Sequence, residues 1–432
     1  MKIILYAFFL TQFSLLPLYC AEMPEGKTAS EILKPLEKDS GRNNLLNRIL
    51  SSLSFDIAGN NVIAIPIFQN NKDLGSSYGI MPVAAINSGK EENPIRFVIA
   101  PSYDRNEKLG DTISYRHYYF PDEKSIMMGR ISSSSRAQKE LVFWYYSPSF
   151  LMDKSKFSFY AYDYKDPKFS FYGYGPKTSK KNGENYLFLN RGFDSSITTP
   201  ISGNLNAEYT LSLYSKKINN GIFGSPPLFS QRYPADYAQS SVKNNFFINK
   251  LSMLLDTTDH PFLPKLGNYL IFSFAFSAKP YSDYSYSSYS IESKKYYNYS
   301  AGKYVTAVRY FLSWQTGNRL PFYENQRLGE SSGLRMAGEG RFTDRAKFMA
   351  TVEQRITLSK SALMKFLSEL EFTPFLDIGT VAPSVNELRL SNLKYGPGAA
   401  FRIILRPHVV ATADLAFGSE GSNLLIKVGY PF

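Results

Sequence analysis

Residues 345–358 read RAKFMATVEQRITL. Successive side chains of an extended strand point to opposite faces. Ala346, Phe348, Ala350, Val352 and Ile356 therefore share one side, and Lys347, Thr351, Glu353 and Arg355 the other. The first side is wholly apolar, and the second carries charges of both signs. The pattern returns downstream. In 367–379, Leu370, Phe372, Leu376 and Ile378 oppose Glu369, Glu371, Thr373 and Asp377. In 409–417, Val409, Ala411, Ala413, Leu415 and Phe417 oppose Thr412 and Asp414. A soluble sheet buries the apolar face and wets the other, whereas a transmembrane barrel turns the apolar face to lipid and hides the charges inside.

The connections choose between these. They are long at 316–342, short at 359–365, long at 382–394, two or three residues at Arg406-Pro407-His408, and short again at 418–421. Barrels of the bacterial outer membrane join tilted strands of about ten residues alternately by tight turns and long loops. A closed barrel also leaves no strand edge unpaired in hydrocarbon. Alternating stretches begin near residue 60, with 61–68, 78–86, 95–103 and 112–120 as the first four. At about 23 residues per strand and connection, 59–432 accommodates about 16 antiparallel strands. The terminal stretch continues the pattern, with Leu424, Ile426, Val428, Tyr430 and Phe432 on one side. Residues 281–290 alternate Tyr and Ser and fit either a strand rim or a loop.

Composition agrees. Of 432 residues 16% are aromatic, as 33 Phe, 32 Tyr and only 2 Trp, a mixture suited to strands and to the interfacial belts of a membrane. The formal charge of +12 points to anionic lipid headgroups or lipopolysaccharide. The Lys and Arg are dispersed rather than clustered on one element, which argues against nucleic acid.

Residues 1–20, with one Lys, an apolar run and Cys20-Ala21 before a polar stretch, read as a signal peptide. Residues 21–58 are expected to form a short periplasmic helical segment, in which Ile32, Leu33, Leu36, Leu45, Leu46, Ile49, Leu50 and Leu53 recur at helical spacing around breaks at Pro35 and Gly41. Cys20 is the one cysteine, so the mature chain is expected to fold without disulfides. No later apolar run is long enough for a membrane-crossing helix.

Motifs for chemistry are few. Gly75-Ser76-Ser77-Tyr78-Gly79 fits a nucleophile-elbow pattern, but it lies between two strands and reads as a turn. His117, His260 and His408 are scattered without ligand spacing, so neither a metal nor a catalytic triad is expected. The glycine-rich 329–340 lacks the Lys-Ser/Thr of a phosphate loop. No cofactor and no enzymatic activity are expected.

The stretches 320–356 (LPFYENQRLGESSGLRMAGEGRFTDRAKFMATVEQRI), 372–381 (FTPFLDIGTV) and 393–407 (LKYGPGAAFRIILRP) resemble the end of the BamA/TamA-type bacterial surface antigen superfamily, the outer-membrane assembly and translocation barrels. Weaker echoes lie at 64–79, 171–179 and 255–269. The resemblance implies that the extracellular loop 316–342 folds back into the lumen. It matches the loop motif at Leu334, Arg335, Gly340, Arg341 and Phe342, while Met336-Ala337 replace a glycine-aromatic pair. It further implies that Arg335 pairs with Asp377 of Phe375-x-Asp377-x-Gly379, with Glu353 one strand earlier, since a charge buried in a dry lumen needs a partner. Leu424, Ile426, Val428, Tyr430 and Phe432 would be the C-terminal signal read by the assembly machinery during insertion. About 38 residues separate Ala21 from the first strand, so a short member without polypeptide-transport-associated (POTRA) repeats is expected. The implied role is assembly or translocation at the outer membrane, with a periplasmic or client protein as partner. The alternative is a passive channel or structural surface protein that keeps the fold.

Overall fold

The computed structural model describes residues 54–428, apart from 58–59, 72–73, 88–94, 123–124, 152–153, 225, 261–262, 364–365 and 406–408. The expected signal peptide and residues 21–53 of the expected helical segment lie outside the described residues. Strand structure begins slightly earlier than the expected boundary at 59, because Ser54–Ile57 pairs back on Asn60–Ile63 as a short hairpin.

The described strands of the wall form one nineteen-stranded sheet in which each strand pairs antiparallel with the next in sequence. Setting aside the four-residue stub Ser54–Ile57 leaves eighteen strands, running from Asn60–Asn71 to Asn423–Val428. The sheet curls until these two terminal strands lie side by side. Eighteen exceeds the about sixteen suggested by mean spacing, because several turns are only two or three residues, such as 107–109 and 203–204. The Tyr/Ser stretch 281–290 divides, with Tyr286–Tyr299 forming a strand.

Alternation sorts the wall. Large apolar side chains stand exposed on the outside, among them Ile113 at 67% and Leu141 and Ile131 at 58%. Charged side chains such as Arg130, Lys250, Glu292, Lys347 and Glu353 are buried inside. A soluble sheet shows the reverse, so the outer face is one that meets lipid. No described helix is long and apolar enough to cross a membrane; the strands do the crossing.

An even strand number returns the chain to the face on which it began. On that face later connections such as 203–204 and 300–303 are short. The opposite face carries 172–183, 221–243, 318–345 and 383–393. Short turns mark the periplasmic side and long loops the outside. The outer loops include two short helices, Phe229–Arg232 and Pro234–Ser240, and a two-stranded hairpin of Gln326–Leu328 with Phe342–Asp344.

Candidate functional site: the lumenal loop and its ion network

The connection between Tyr304–Gly317 and Ala346–Leu363 descends into the lumen, where Leu334, Met336 and Ala337 are wholly buried. Its path is set by backbone that L-residues adopt with difficulty. Gly329 and Gly333 have φ of 150° and 118°, and a Cβ on Gly329 would run into the carbonyl of Gly338. Between them lies the turn Glu330–Ser332, whose Ser332 hydroxyl donates to the Gly329 carbonyl at 2.7 Å.

The tip is a tight turn in which the Ala337 N–H donates to the Leu334 carbonyl at 3.0 Å. Met336 and Ala337 have negative φ, so the missing glycine is not required by the backbone. Glycine appears in the facing wall instead. A Cβ on Gly396 or Gly418 would strike Met336, so these two positions make room for the larger tip. Gly379 does the same for Leu328, since a Cβ there would lie 2.9 Å from the Leu328 side chain.

Arg335 projects from this tip and is 3% exposed. Its Nε and one terminal nitrogen each donate to Asp377 at 2.9 Å, one bond to each carboxylate oxygen, and its backbone N–H adds a third at 3.1 Å. The other terminal nitrogen donates to Glu353 at 3.0 Å and to Asp414 at 3.2 Å. The guanidinium lies 3.3 Å from the ring centre of Phe375. Asn423 of the last strand donates to the Arg335 carbonyl at 2.9 Å. Burial opposes the charge on Arg335, but the adjoining carboxylates of Asp377, Asp414 and Glu353 together more than offset it, and the group is held more firmly protonated than usual.

A second layer surrounds this pair. Arg402, fully buried, donates to Glu353 at 2.8 Å and to Glu371 at 3.1 Å. Arg355 donates to Glu353 at 3.1 Å. Three guanidinium groups thus face the four carboxylates Glu353, Glu371, Asp377 and Asp414. Threonines orient the acids, with Thr351 on Asp377 at 3.0 Å, Thr373 on Glu371 at 2.8 Å, and Thr412 on Asp414. Thr373 and Thr412 lie two residues from the acids they hold, which places each pair on one face of its strand. Such a network is stable only because each charge has partners; removing one typically costs on the order of 3–5 kcal/mol.

Sequence parity identified Glu353, Asp377, Thr412 and Asp414 as inward-facing, and the structure brings Arg335 to the three acids. Reasoning from sequence missed Arg402, although an arginine inside the apolar run of 399–405 was a signal. Its strand neighbour is Glu371, directly opposite in register.

Two further attachments hold the loop. Arg341 donates to Glu420 at 2.8 Å and to the hydroxyl and carbonyl of Thr178 at 2.8 and 2.6 Å, and its guanidinium lies 4.7 Å from the Tyr172 ring centre. Phe342 is buried beside it, Gly340 at φ 63° leaves room for Arg327, and Thr343 bridges to Tyr174. Nearer the outside, Phe322 packs among Phe171, Tyr186 and Phe229, while Glu324 accepts from Lys216 at 2.6 Å and Tyr214 at 2.9 Å. From the periplasmic face, the connection 257–266 reaches up. Leu263 packs on Ile404 and Val410, the Pro264 carbonyl accepts from Arg355, and Lys265 pairs with Glu369 at 3.1 Å.

The other sequence candidates fall elsewhere. Gly75 (φ 76°) opens the strand Gly75–Asn87, so the hydrolase-like pattern is a turn and a strand. His117 hydrogen-bonds Tyr115, His260 accepts from the Leu263 N–H, and His408 lies outside the described residues. Among the described residues no group of three or more His, Cys, Asp or Glu could hold a metal. Leu424 and Ile426 alternate with the buried Asn423 and Leu425, Val428 ends the last described strand, and Tyr430 and Phe432 lie outside the described residues.

A family model described as Omp85 superfamily domain matches residues 127–405. No curated protein sequence matches the chain. Among solved structures, BamA from Haemophilus ducreyi in a form lacking POTRA domains 1–3 is similar with a TM-score of 0.53 and 13% identity, over 92% of this chain and 81% of that one. CdiB from Escherichia coli is similar with a TM-score of 0.49 and 11% identity, over 85% of this chain and 62% of that one.

Proposed function

The chain belongs to the Omp85 superfamily and is a barrel of the bacterial outer membrane, and from that premise we propose that it assists the assembly or translocation of polypeptides at that membrane. The observation that carries this reading is the docking of Arg335 on Asp377, Glu353 and Asp414. It fixes a long outer loop inside the lumen against the last strands of the wall. A passive pore has no need of a charged plug fastened so deeply, and the connection 257–266 enters the same lumen from below. The ion network serves as the structural brace of the working barrel, with Arg335, Glu353 and Asp377 at its centre. Arg341 and Phe342 fasten the loop to the neighbouring outer segment. The terminal side chains Leu424, Ile426, Val428, Tyr430 and Phe432 act as the signal for the chain's own insertion, and Phe432→Asp is expected to lower membrane-inserted protein several-fold.

The test uses the full-length protein in lipid vesicles. A urea-diluted client barrel should insert faster with it than into empty vesicles, and Arg335→Ala should abolish that gain. In cells, depletion should lower a defined set of outer-membrane or exported proteins. Steady ion conductance in planar bilayers with no effect on any client would favour the passive channel.

A further inference from the structure

The outer wall is unevenly charged near its long-loop rim. The strands Lys139–Phe150, Ser155–Phe171, Glu184–Ser202 and Leu205–Asn220 are consecutive neighbours. Their registers set Lys139 opposite Lys165, Lys165 opposite Leu189, and Leu189 opposite Lys217. One step toward the periplasm, the next outward row reads Leu141, Asp163, Arg191 and Ser215. These positions share parity with the exposed Leu141, Phe143 and Tyr209, so they face away from the lumen.

Like charges directly opposite one another destabilise a sheet. Lys139 and Lys165 are such a pair, and among the described residues neither they nor Lys217 has an acidic partner within ion-pair distance. The acid in the next outward row is already taken. Asp163 accepts two bonds from Arg191 on one oxygen, at 2.9 and 2.5 Å. The row spans three strand intervals, about 14 Å at the usual inter-strand spacing. On the C-terminal wall the outward residues near this rim include Tyr395 and Phe417.

Height identifies the occupant. Lys139 begins its strand at the long-loop rim, and the outward residues just below are Leu141, Phe143 and Phe159. A cationic row at the upper edge of an apolar band meets the headgroups of the outer leaflet. The geometry points to a docking site for the phosphorylated headgroup of the outer leaflet's lipopolysaccharide. Lys139, Lys165 and Lys217 bind its phosphates, Arg191 held by Asp163 adds a lower contact, and Leu189 offers the gap between them an apolar surface. Bound phosphate relieves the repulsion that the row otherwise carries. The site is independent of any assembly activity.

The experiment compares the full-length protein in phosphatidylcholine vesicles containing either bisphosphorylated lipid A or the same lipid dephosphorylated. The readout is the temperature at which the folded, fast-migrating form is lost on gels. The wild type should melt several degrees higher with phosphorylated lipid A. In the triple variant Lys139→Gln, Lys165→Gln, Lys217→Gln the two vesicle types should give equal midpoints. A control triple on the opposite rim, Lys295→Gln, Lys303→Gln, Lys360→Gln, should keep the wild-type difference. Lys165→Gln alone should raise the midpoint in dephosphorylated vesicles, by removing a like charge, while shrinking the phosphate-dependent gain; Lys165→Arg should keep that gain. The site is overturned if the wild type shows no difference, if the row variants keep it, or if the control triple loses as much as the row triple.

Discussion

Inward-facing side chains of the strands between Asn60 and Phe171 build one large apolar and aromatic cluster beside small hydroxyls and a few charges, while those between Ala346 and Ala416 are largely charged or hydroxyl-bearing. In the first region Met81, Val98, Phe120, Ile126, Met128 and Tyr160 belong to one cluster, with Arg130 and Glu140 as an embedded ion pair at 3.0 Å. In the second, Glu353, Arg355, Glu371, Asp377, Arg402 and Asp414 surround one inserted arginine. Apolar packing is non-directional and tolerates small displacements. A charge network does not, because each group removed leaves others buried without a partner. The difference teaches that this barrel gives conformational specificity to the wall that receives the loop, and packs the other wall by ordinary burial.

The two tryptophans make the comparison measurable, since Trp144 lies in the first region and Trp314, stacked on Tyr289 at 5.1 Å, adjoins the second. The largest effect is expected from Arg335→Ala, on the order of 3–5 kcal/mol. It should appear as protease cleavage within 316–342 and as a lower unfolding midpoint at Trp314. Asp377→Ala should be milder, because Glu353 and Asp414 still hold the arginine, and the double variant should be no worse than Arg335→Ala alone. Simple addition of the two single effects would show that they do not act as a pair.

Next comes Met128→Ala, a cavity in the apolar wall, expected at about 2–5 kcal/mol and reported by Trp144. Equal shifts at both tryptophans would merge the two regions into one cooperative unit and erase the contrast. Thr351→Val removes one hydrogen bond to the Asp377 carboxylate, worth about 1.5–3 kcal/mol, with loop protease resistance as the measure. Gly396→Ala pushes a methyl to 2.9 Å from the Met336 side chain, and overpacking of this kind costs about 1–3 kcal/mol. Pairing it with Met336→Ala should restore the loop, and failure of that rescue would separate the tip from the wall glycines.

Much of this architecture was legible because a membrane barrel writes its two faces into alternate positions. Lys347, Glu353, Asp377 and Asp414 could each be assigned to the inside from parity alone, whatever their eventual partners. Partners need register, and register depends on how the outer connections are folded. Arg402 meets Glu371 only because 383–393 places their strands in that alignment. Thr178 and Arg341 leave no local pattern at all, being joined by two loops that lie far apart in the chain. The substitution of Met336-Ala337 for a glycine-aromatic pair looked like a change at the tip, whereas the accommodating residues lie elsewhere, Gly396 on a later strand and Gly418 in the connection before the last one.

The attachments of the loop also carry information about time. Arg341 reaches a partner 163 residues earlier and another 79 residues later, and the Arg335 carbonyl is held by a residue 88 positions downstream. Contacts of such separation form only after the chain between them has been ordered. The hydrogen bond from Asn423 in particular requires the last strand to be in place. The loop therefore reaches its final seat only at the end of assembly, and its resistance to protease reports that the wall around it is complete.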